Sequence, residues 1–342
     1  MNIPMNSHES ASHHSQRGNT RSSMACAVGL RHPTIMTYSL PMILKAIVSN
    51  QIARFAPGLY VKLTGQTGRG DSTTETAADI AQYFRQCVID YLDTLVIPQD
   101  ERASFLQDKA VLEYGPGDIP GVALLLVAYG ARKVYCVDRF PLVSISSKNL
   151  DVIHRLANML GESERQRFDQ CFKNPRAPEE GFNSEYIEYL VRPNGLSGLQ
   201  GEIDIVLSRA VLEHVNDLEA TFGDMVRAMK PGALAVHQVD LRSHGLHVSN
   251  PLDFLSPPSW LWQLMHSHKG VPNRWRADRY EQIVRQIEVE CRRFEPTGRF
   301  EAEHVRTLRP QLDAAFANTG EDRLAWQGFW LVFVKQAEGS AA

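Results

Sequence analysis

From Ala110 to about Asp240 the chain alternates short apolar runs with segments of helical spacing, an order that few folds accept. Val111-Leu112 runs into a glycine turn, and residues 121–129 read as a helix. Residues 134–137 read as a strand, 142–159 as largely helical, and 187–191 and 203–207 as strands again. Val211, Leu212, Val215, Leu218, Phe222, Met225, Val226 and Met229 recur at amphipathic-helix spacing before a strand at 233–239. Parallel strands need crossover connections, and helices supply them here. The pattern therefore predicts an α/β fold with a doubly wound sheet covered by helices on both faces.

The flanks read differently. Residues 1–34 are rich in Ser, His, Asn and Arg without apolar periodicity, and are expected to be a disordered leader. Residues 35–108 form a helical front section: Pro41 opens a first helix through Ile43, Ile47 and Phe55, and Pro57-Gly58 stops it. A glycine-rich loop at 65–72 leads to a second helix through Ile80, Phe84, Val88 and Leu95. Lys45 and Arg54 among apolar residues would also suit a helix lying on a membrane surface, though packing on the sheet domain is the commoner fate. The sheet domain spans 109–337, interrupted at 241–277 by a Pro-, His- and Trp-rich stretch expected to be a mobile lid. A helix near 280–287 and an apolar strand at 329–334 follow, and 338–342 is a tail.

The totals exclude several classes. A net charge of −3 offers no general attraction for nucleic acid. Five scattered cysteines without CxxC pairing fit a reducing compartment. No apolar run reaches the ~20 residues of a membrane span, and the N-terminus lacks signal-peptide order, so the expected location is cytoplasmic.

The turn Glu113-Tyr114-Gly115-Pro116-Gly117-Asp118 joins a strand end to a helix start, where open α/β sheets bind ligands. Asp138 closes the next strand, in the place of a carboxylate that accepts bonds from ribose hydroxyls. A nicotinamide dinucleotide and S-adenosyl-L-methionine both carry that ribose. A dinucleotide also needs backbone N–H groups facing its pyrophosphate. Pro116 and Pro120 remove two such donors, and Glu113 and Asp118 place negative charge there. The turn favours a cofactor with an amino group and a sulfonium.

These residues resemble the class I methyltransferase superfamily, whose likeness spans about 109–240 plus the C-terminal strand. Carrying it are Val111 to Gly117, Val134 to Asp138, the stretch Ile203 to Ser208, Val211-Leu212-Glu213-His214-Val215 and Lys230-Pro231-Gly232. The resemblance implies a Rossmann-like, mostly parallel sheet with an antiparallel C-terminal strand. It implies Glu113, Gly115 and Gly117 around the amino-acid end of S-adenosyl-L-methionine, Asp138 on the ribose and Ser208 under the methionine portion; Asp118 is added as a cofactor-binding candidate by the charge of the turn. Tyr189, Arg192 and Asn194 are candidates for the adenine. A less characterised subgroup shares an HxxDxxxH run (His237, Asp240, His244), a PLxFL run at 251–255 and an NRxR run at 273–276.

The methyl acceptor should face the end of the fifth strand. His237, Asp240 and His244 fall there and are the candidate catalytic residues, with histidine suited to proton transfer near neutral pH. His237 and Asp240 converge only if the strand ends near Gln238, and a structural histidine is an equal reading. A metal on His237, Asp240, His244 and His247 is the lesser reading, since no regular element aligns all four, and no metal is assigned. His214 reads as a loop histidine orienting backbone. Arg274 and Arg276 are candidates to clamp a carboxylate or phosphate of the acceptor. The expected function is methyl transfer to a hydroxyl or carboxyl oxygen of a small molecule or a glycan or lipid precursor. The alternatives are a nicotinamide oxidoreductase and a non-catalytic cofactor-binding protein.

Overall fold

The computed structural model describes residues 38–64 and 74–337. The expected leader (1–34), the loop at 65–72 and the tail at 338–342 lie outside the described residues.

Seven strands form one sheet: β1 (Ala110–Tyr114), β2 (Lys133–Asp138), β3 (Ile187–Val191), β4 (Ile203–Arg209), β5 (Met229–Asp240), β6 (Val289–Arg299) and β7 (Trp326–Lys335). Their order is β3-β2-β1-β4-β5-β7-β6. The first five run parallel, and β7 lies antiparallel to both β5 and β6. All five residues of β1 are buried, as a central strand covered on both faces must be. From β1 the chain winds outward to β2 and β3, then returns to β4 and β5 on the other side. The crevice between β1 and β4 is the switch point at which such sheets bind ligands.

Among the described residues four helices precede the sheet: α1 (Leu40–Phe55), α2 (Pro57–Thr64), α3 (Ala77–Thr94) and α4 (Arg102–Leu106). Pro57-Gly58 ends α1 as expected, but the chain re-enters a helix at once, because proline is well suited to a first helical turn. Thr76 caps α3, its hydroxyl accepting from the Asp79 N–H at 3.2 Å. Then α5 (Gly121–Ala128), α6 (Ser147–Asn158) and α7 (Glu162–Gln170) join α3 on one face of the sheet. Ser146 caps α6 by accepting from Asn149, which delays that helix beyond its expected start at 142. On the other face α8 (Leu218–Ala228) buries Phe222 and Met225 against Leu112, Val206 and Ala235.

The stretch after β5 is a packed body, with its own apolar core. It contains α9 (Ser259–His266), and α10 (Ala277–Val284) follows it back onto the sheet beside α8. Leu252, Phe254, Leu255 and Trp262 are buried with Val305 and Leu308 of α11 (Ala302–Leu308), Phe316, and Leu324 of α12 (Glu321–Ala325). The front helix α1 packs chiefly on α9, where Ile43 meets Leu261 and Met265, and the Asn50 amide donates to the Leu264 carbonyl at 2.9 Å. The outer face of α1 leaves Leu44, Val48 and Phe55 exposed. Among the described residues no helix is long and apolar enough to cross a membrane.

One strand was absent from the expected pattern. The edge strand β6 reads VECRRFEPTGR, with charged residues and a proline where an inner strand would be apolar. Those residues suit an edge, and register shifts break its pairing with β7.

The two arginines offered as acceptor clamps are corrected by their surroundings. Arg276 is fully buried and donates to the carbonyls of Leu241 (2.7 Å), Leu324 (2.9 Å) and Trp326. Arg274 donates to the Pro257 carbonyl (2.7 Å) and the Ser259 hydroxyl (3.1 Å), between the rings of Trp262 and Phe316. Both guanidinium groups are buried against these partners and tie the inserted body to the sheet, although the Nε of each stays unpaired. Arg276→Ala strands three buried carbonyls and should lower unfolding free energy in urea by about 3 kcal/mol or more. Arg306→Ala, an exposed change on α11 away from these contacts, should stay within about 0.5 kcal/mol of the parent.

Candidate active site

A cavity of about 500 Å³ opens at the carboxyl ends of β1, β2 and β4, within the range of small-molecule sites. Its floor is the glycine turn. Gly115 has a φ of 66° and Gly117 a φ of 76°, both in the left-handed region that glycine enters without strain. A Cβ on Gly115 would stand 2.4 Å from Val211 Cγ2, so only a bare backbone passes the loop after β4. A Cβ on Gly117 would meet nothing within 4 Å, so the backbone there is open to a ligand.

Asp138 ends β2 and lines the same cavity. The Phe140 N–H donates to its Oδ1 at 3.2 Å. Burial lifts its carboxyl to about 6, a shift that these backbone donors hold in check, leaving a carboxylate near neutral pH. Arg139 stacks 5.5 Å above the Phe140 ring, and both line the cavity. Tyr60 of α2, Val211, His214, Lys269 and Gly270 complete much of the remaining wall. A ribose-bearing cofactor fits this set: a carboxylate at the second strand, bare backbone at the first, and apolar rings between.

Four residues that the resemblance or the sequence set beside the ligands lie elsewhere. Glu113 is buried behind the turn, where the Cys136 thiol lies 3.9 Å from its Oε2 and the Ala123 N–H of α5 bonds it; burial pushes its carboxyl up to about 8. Asp118 is buried beneath the turn and is not among the lining residues. Ser208 is wholly buried, its hydroxyl 2.8 Å from His237 Nδ1. His237 is wholly buried too, between the rings of Phe222 and Phe333, and burial pushes it down to about 3. The reason is the strand itself. β5 persists through Asp240, so alternation sends His237 and Asp240 to opposite faces.

Asp240 and His244 do come together, with His244 Nε2 3.4 Å from Asp240 Oδ2. Burial opposes ionisation of Asp240, but hydrogen bonds from His244 and Arg242 hold its carboxyl well below the usual range. The His244 ring meets the His214 ring edge-on at 5.0 Å. Burial, and then the neighbouring His244, push His214 down to about 4, so its imidazole is neutral at ordinary pH. Glu213 beside it is almost fully buried, and desolvation raises its carboxyl well above the usual range. Asn273 fixes this loop: its amide donates to the carbonyls of Leu212 (2.9 Å) and Val215 (3.0 Å), and its N–H to that of Glu213 (2.6 Å). The NRxR run thus acts as a brace for the loop after β4.

Of the adenine candidates, Tyr189 accepts from Leu142 N–H and donates to the Phe140 carbonyl, bracing the loop after β2. Arg192 and Asn194 line a separate hollow with Asp224. Sequence reading missed Tyr60, Phe140, Val211 and Lys269 as cavity residues. Phe140 and Val211 were legible as the residues just beyond strand ends, whereas Tyr60 and Lys269 arrive from chain distant in sequence.

A family profile described as a methyltransferase domain matches residues 84–292. No curated protein matches the chain. Solved structures similar to it include an S-adenosylmethionine-dependent methyltransferase from Mesorhizobium loti, at 15% identity and a TM-score of 0.38, covering 71% of this chain and 95% of that one. Another is a SAM-dependent methyltransferase from Methanosarcina mazei, at 13% identity and a TM-score of 0.40, covering 68% and 94%. A third is phosphoethanolamine N-methyltransferase 2 of Haemonchus contortus in complex with S-adenosyl-L-methionine, at 16% identity and a TM-score of 0.37, covering 68% of this chain and 49% of that one. With more than half of its length matched by the family profile, this chain belongs to the methyltransferase-domain family, the class I enzymes whose cofactor is S-adenosyl-L-methionine.

Proposed function

We propose that the protein methylates an oxygen, hydroxyl or carboxyl, of a small molecule or of a glycan or lipid precursor. The observation that carries this reading is a shared wall: His214 lines the same cavity as Gly115, Gly117 and Asp138. Asp138 accepts from the ribose hydroxyls, and the bare backbone at Gly115 and Gly117 admits the amino-acid end. Bound there, S-adenosyl-L-methionine supplies an electrophilic methyl carbon. In-line transfer to oxygen depends chiefly on alignment of the acceptor. His214, a neutral imidazole, and His244 beside it meet the acceptor, with Asp240 holding His244 in place. Tyr60 brings α2 into the cavity wall while Leu59 and Leu63 of the same helix face solvent, which suits an acceptor with an apolar tail.

Incubating the protein with methyl-labelled cofactor and a fractionated cell extract tests the acceptor class. Label should enter the small-molecule or lipid fraction, released by mild base if the product is an ester and retained if it is an ether. Label confined to protein or nucleic acid overturns the reading.

Asp138→Ala should weaken S-adenosylhomocysteine binding by about 1.5–3 kcal/mol in calorimetry, the scale of a hydrogen bond to a charged group. Unchanged affinity would show that the ribose is held elsewhere. The same carboxyl sets a pH dependence. Its value is raised to about 6, so it is protonated below that pH and charged above it. Affinity for S-adenosylhomocysteine should therefore be flat above about pH 7 and fall as pH drops through 6, and Asp138→Asn should lose that dependence.

A further inference from the structure

Beside the cavity, two loops bring three donor side chains together: Glu213 and His214 after β4, and His244 after β5. One donor atom from each lies within 4.8 Å of the other two. His214 Nε2 stands 4.0 Å from Glu213 Oε1. Glu213 is almost fully buried, and its carboxyl is met only weakly, by its own backbone N–H and that of Asp240. Burial keeps this carboxyl protonated when nothing cationic faces it, and a metal ion bound there would take the place of that proton. Arg242, whose charge acts on Glu213, is itself engaged by Asp240 through two bonds of 2.9 and 3.1 Å from its Nε.

The donors are also held ready. Asn273 clamps the backbone on both sides of Glu213 and His214. Asp240 lies 3.4 Å from His244 Nε2, the position of a carboxylate that orients a ligand imidazole. His244 stands just beyond the end of β5, with a left-handed φ of 50° and a partly exposed side chain. Two imidazoles and one carboxylate form a donor set for first-row transition ions, and not for magnesium or calcium, which take oxygen. Three protein ligands leave coordination positions open, as sites that meet a substrate do.

We infer that Glu213, His214 and His244 bind one divalent transition-metal ion, and that its open position takes an oxygen of the methyl acceptor. The use of the ion on the acceptor rests on the methyl-transfer reading above, whereas its binding does not. The set differs from the run His237, Asp240, His244, His247. His237 faces the sheet core, and His247 Nδ1 lies 2.5 Å from the Ser243 hydroxyl. Among the described residues the Glu213 group is the one set of three or more such donors that converge.

Cobalt(II) added to chelator-stripped full-length protein tests this, read by visible ligand-field absorption and by metal analysis after desalting. One equivalent of cobalt should bind, zinc should displace it, and magnesium at equal concentration should not. His244→Ala and Glu213→Gln should each weaken cobalt binding by at least about tenfold, the scale seen when a metal's ligand shell is altered. Because Glu213 is buried and its variant could misfold, His244→Ala is the deciding change, and it should still bind S-adenosylhomocysteine within about twofold of the parent. No cobalt bound at about 1 mM, a very weak affinity, overturns the site. Equal cobalt binding by the parent and His244→Ala overturns it as well. Cobalt binding of the expected stoichiometry without any binding of S-adenosylhomocysteine would sink the methyl-transfer reading and leave the metal site standing.

Discussion

The close passage of Gly115 beneath Val211 is the contact on which the rest of the site depends. β1 and β4 are neighbours in register, Tyr114 opposite Ser208, yet the chain leaves them in opposite directions. Their loops must cross at the crevice without filling it. A left-handed glycine lets the first loop turn sharply, and the absence of its Cβ lets Val211 close the wall above it. The cavity, the place of Asp138 and the approach of His214 all follow from that crossing.

A second constraint is how irregular chain is kept in place. The loop carrying Glu213 and His214 and the body inserted after β5 contain many backbone groups that no helix or strand ladder satisfies. Asn273, Arg274 and Arg276, three residues within one four-residue run, satisfy a series of them. Burying two guanidinium groups is costly, and it is tolerated because their forked donors meet several carbonyls at once. The inserted body is thereby part of the frame: it supplies Lys269 and Gly270 to the cavity, and its helix α9 receives α1.

His237 and His214 show how little residue type says alone. His237 lies within β5 and His214 in the turn after β4, and burial strips both of charge. His237 points into aromatic core against Phe222 and Phe333, with Ser208 as its polar partner. His214 stands on a short turn beyond its strand, where the ring reaches the cavity and meets His244. The difference is whether the strand has ended. A histidine within a ladder is assigned its face by alternation, and one beyond it is placed by loop contacts.

The sequence by itself determined the sheet, because strand and helix periodicity are local properties. β1 to β5, β7 and most of the packing helices were legible that way, as was the glycine turn with Asp138, whose chemistry is written in adjacent residues. The edge strand β6 was not, since an edge need not be apolar. Tertiary structure alone decided which polar residues are buried. The sequence offered Glu113, Ser208, Arg274 and Arg276 to ligands, but their neighbours come from chain far along the sequence, and those neighbours use up or enclose their polar groups. It also decided that Glu213, His214 and His244 converge. Their two loops are separated by a whole helix and strand, and only the parallel pairing of β4 with β5 brings the loop ends side by side.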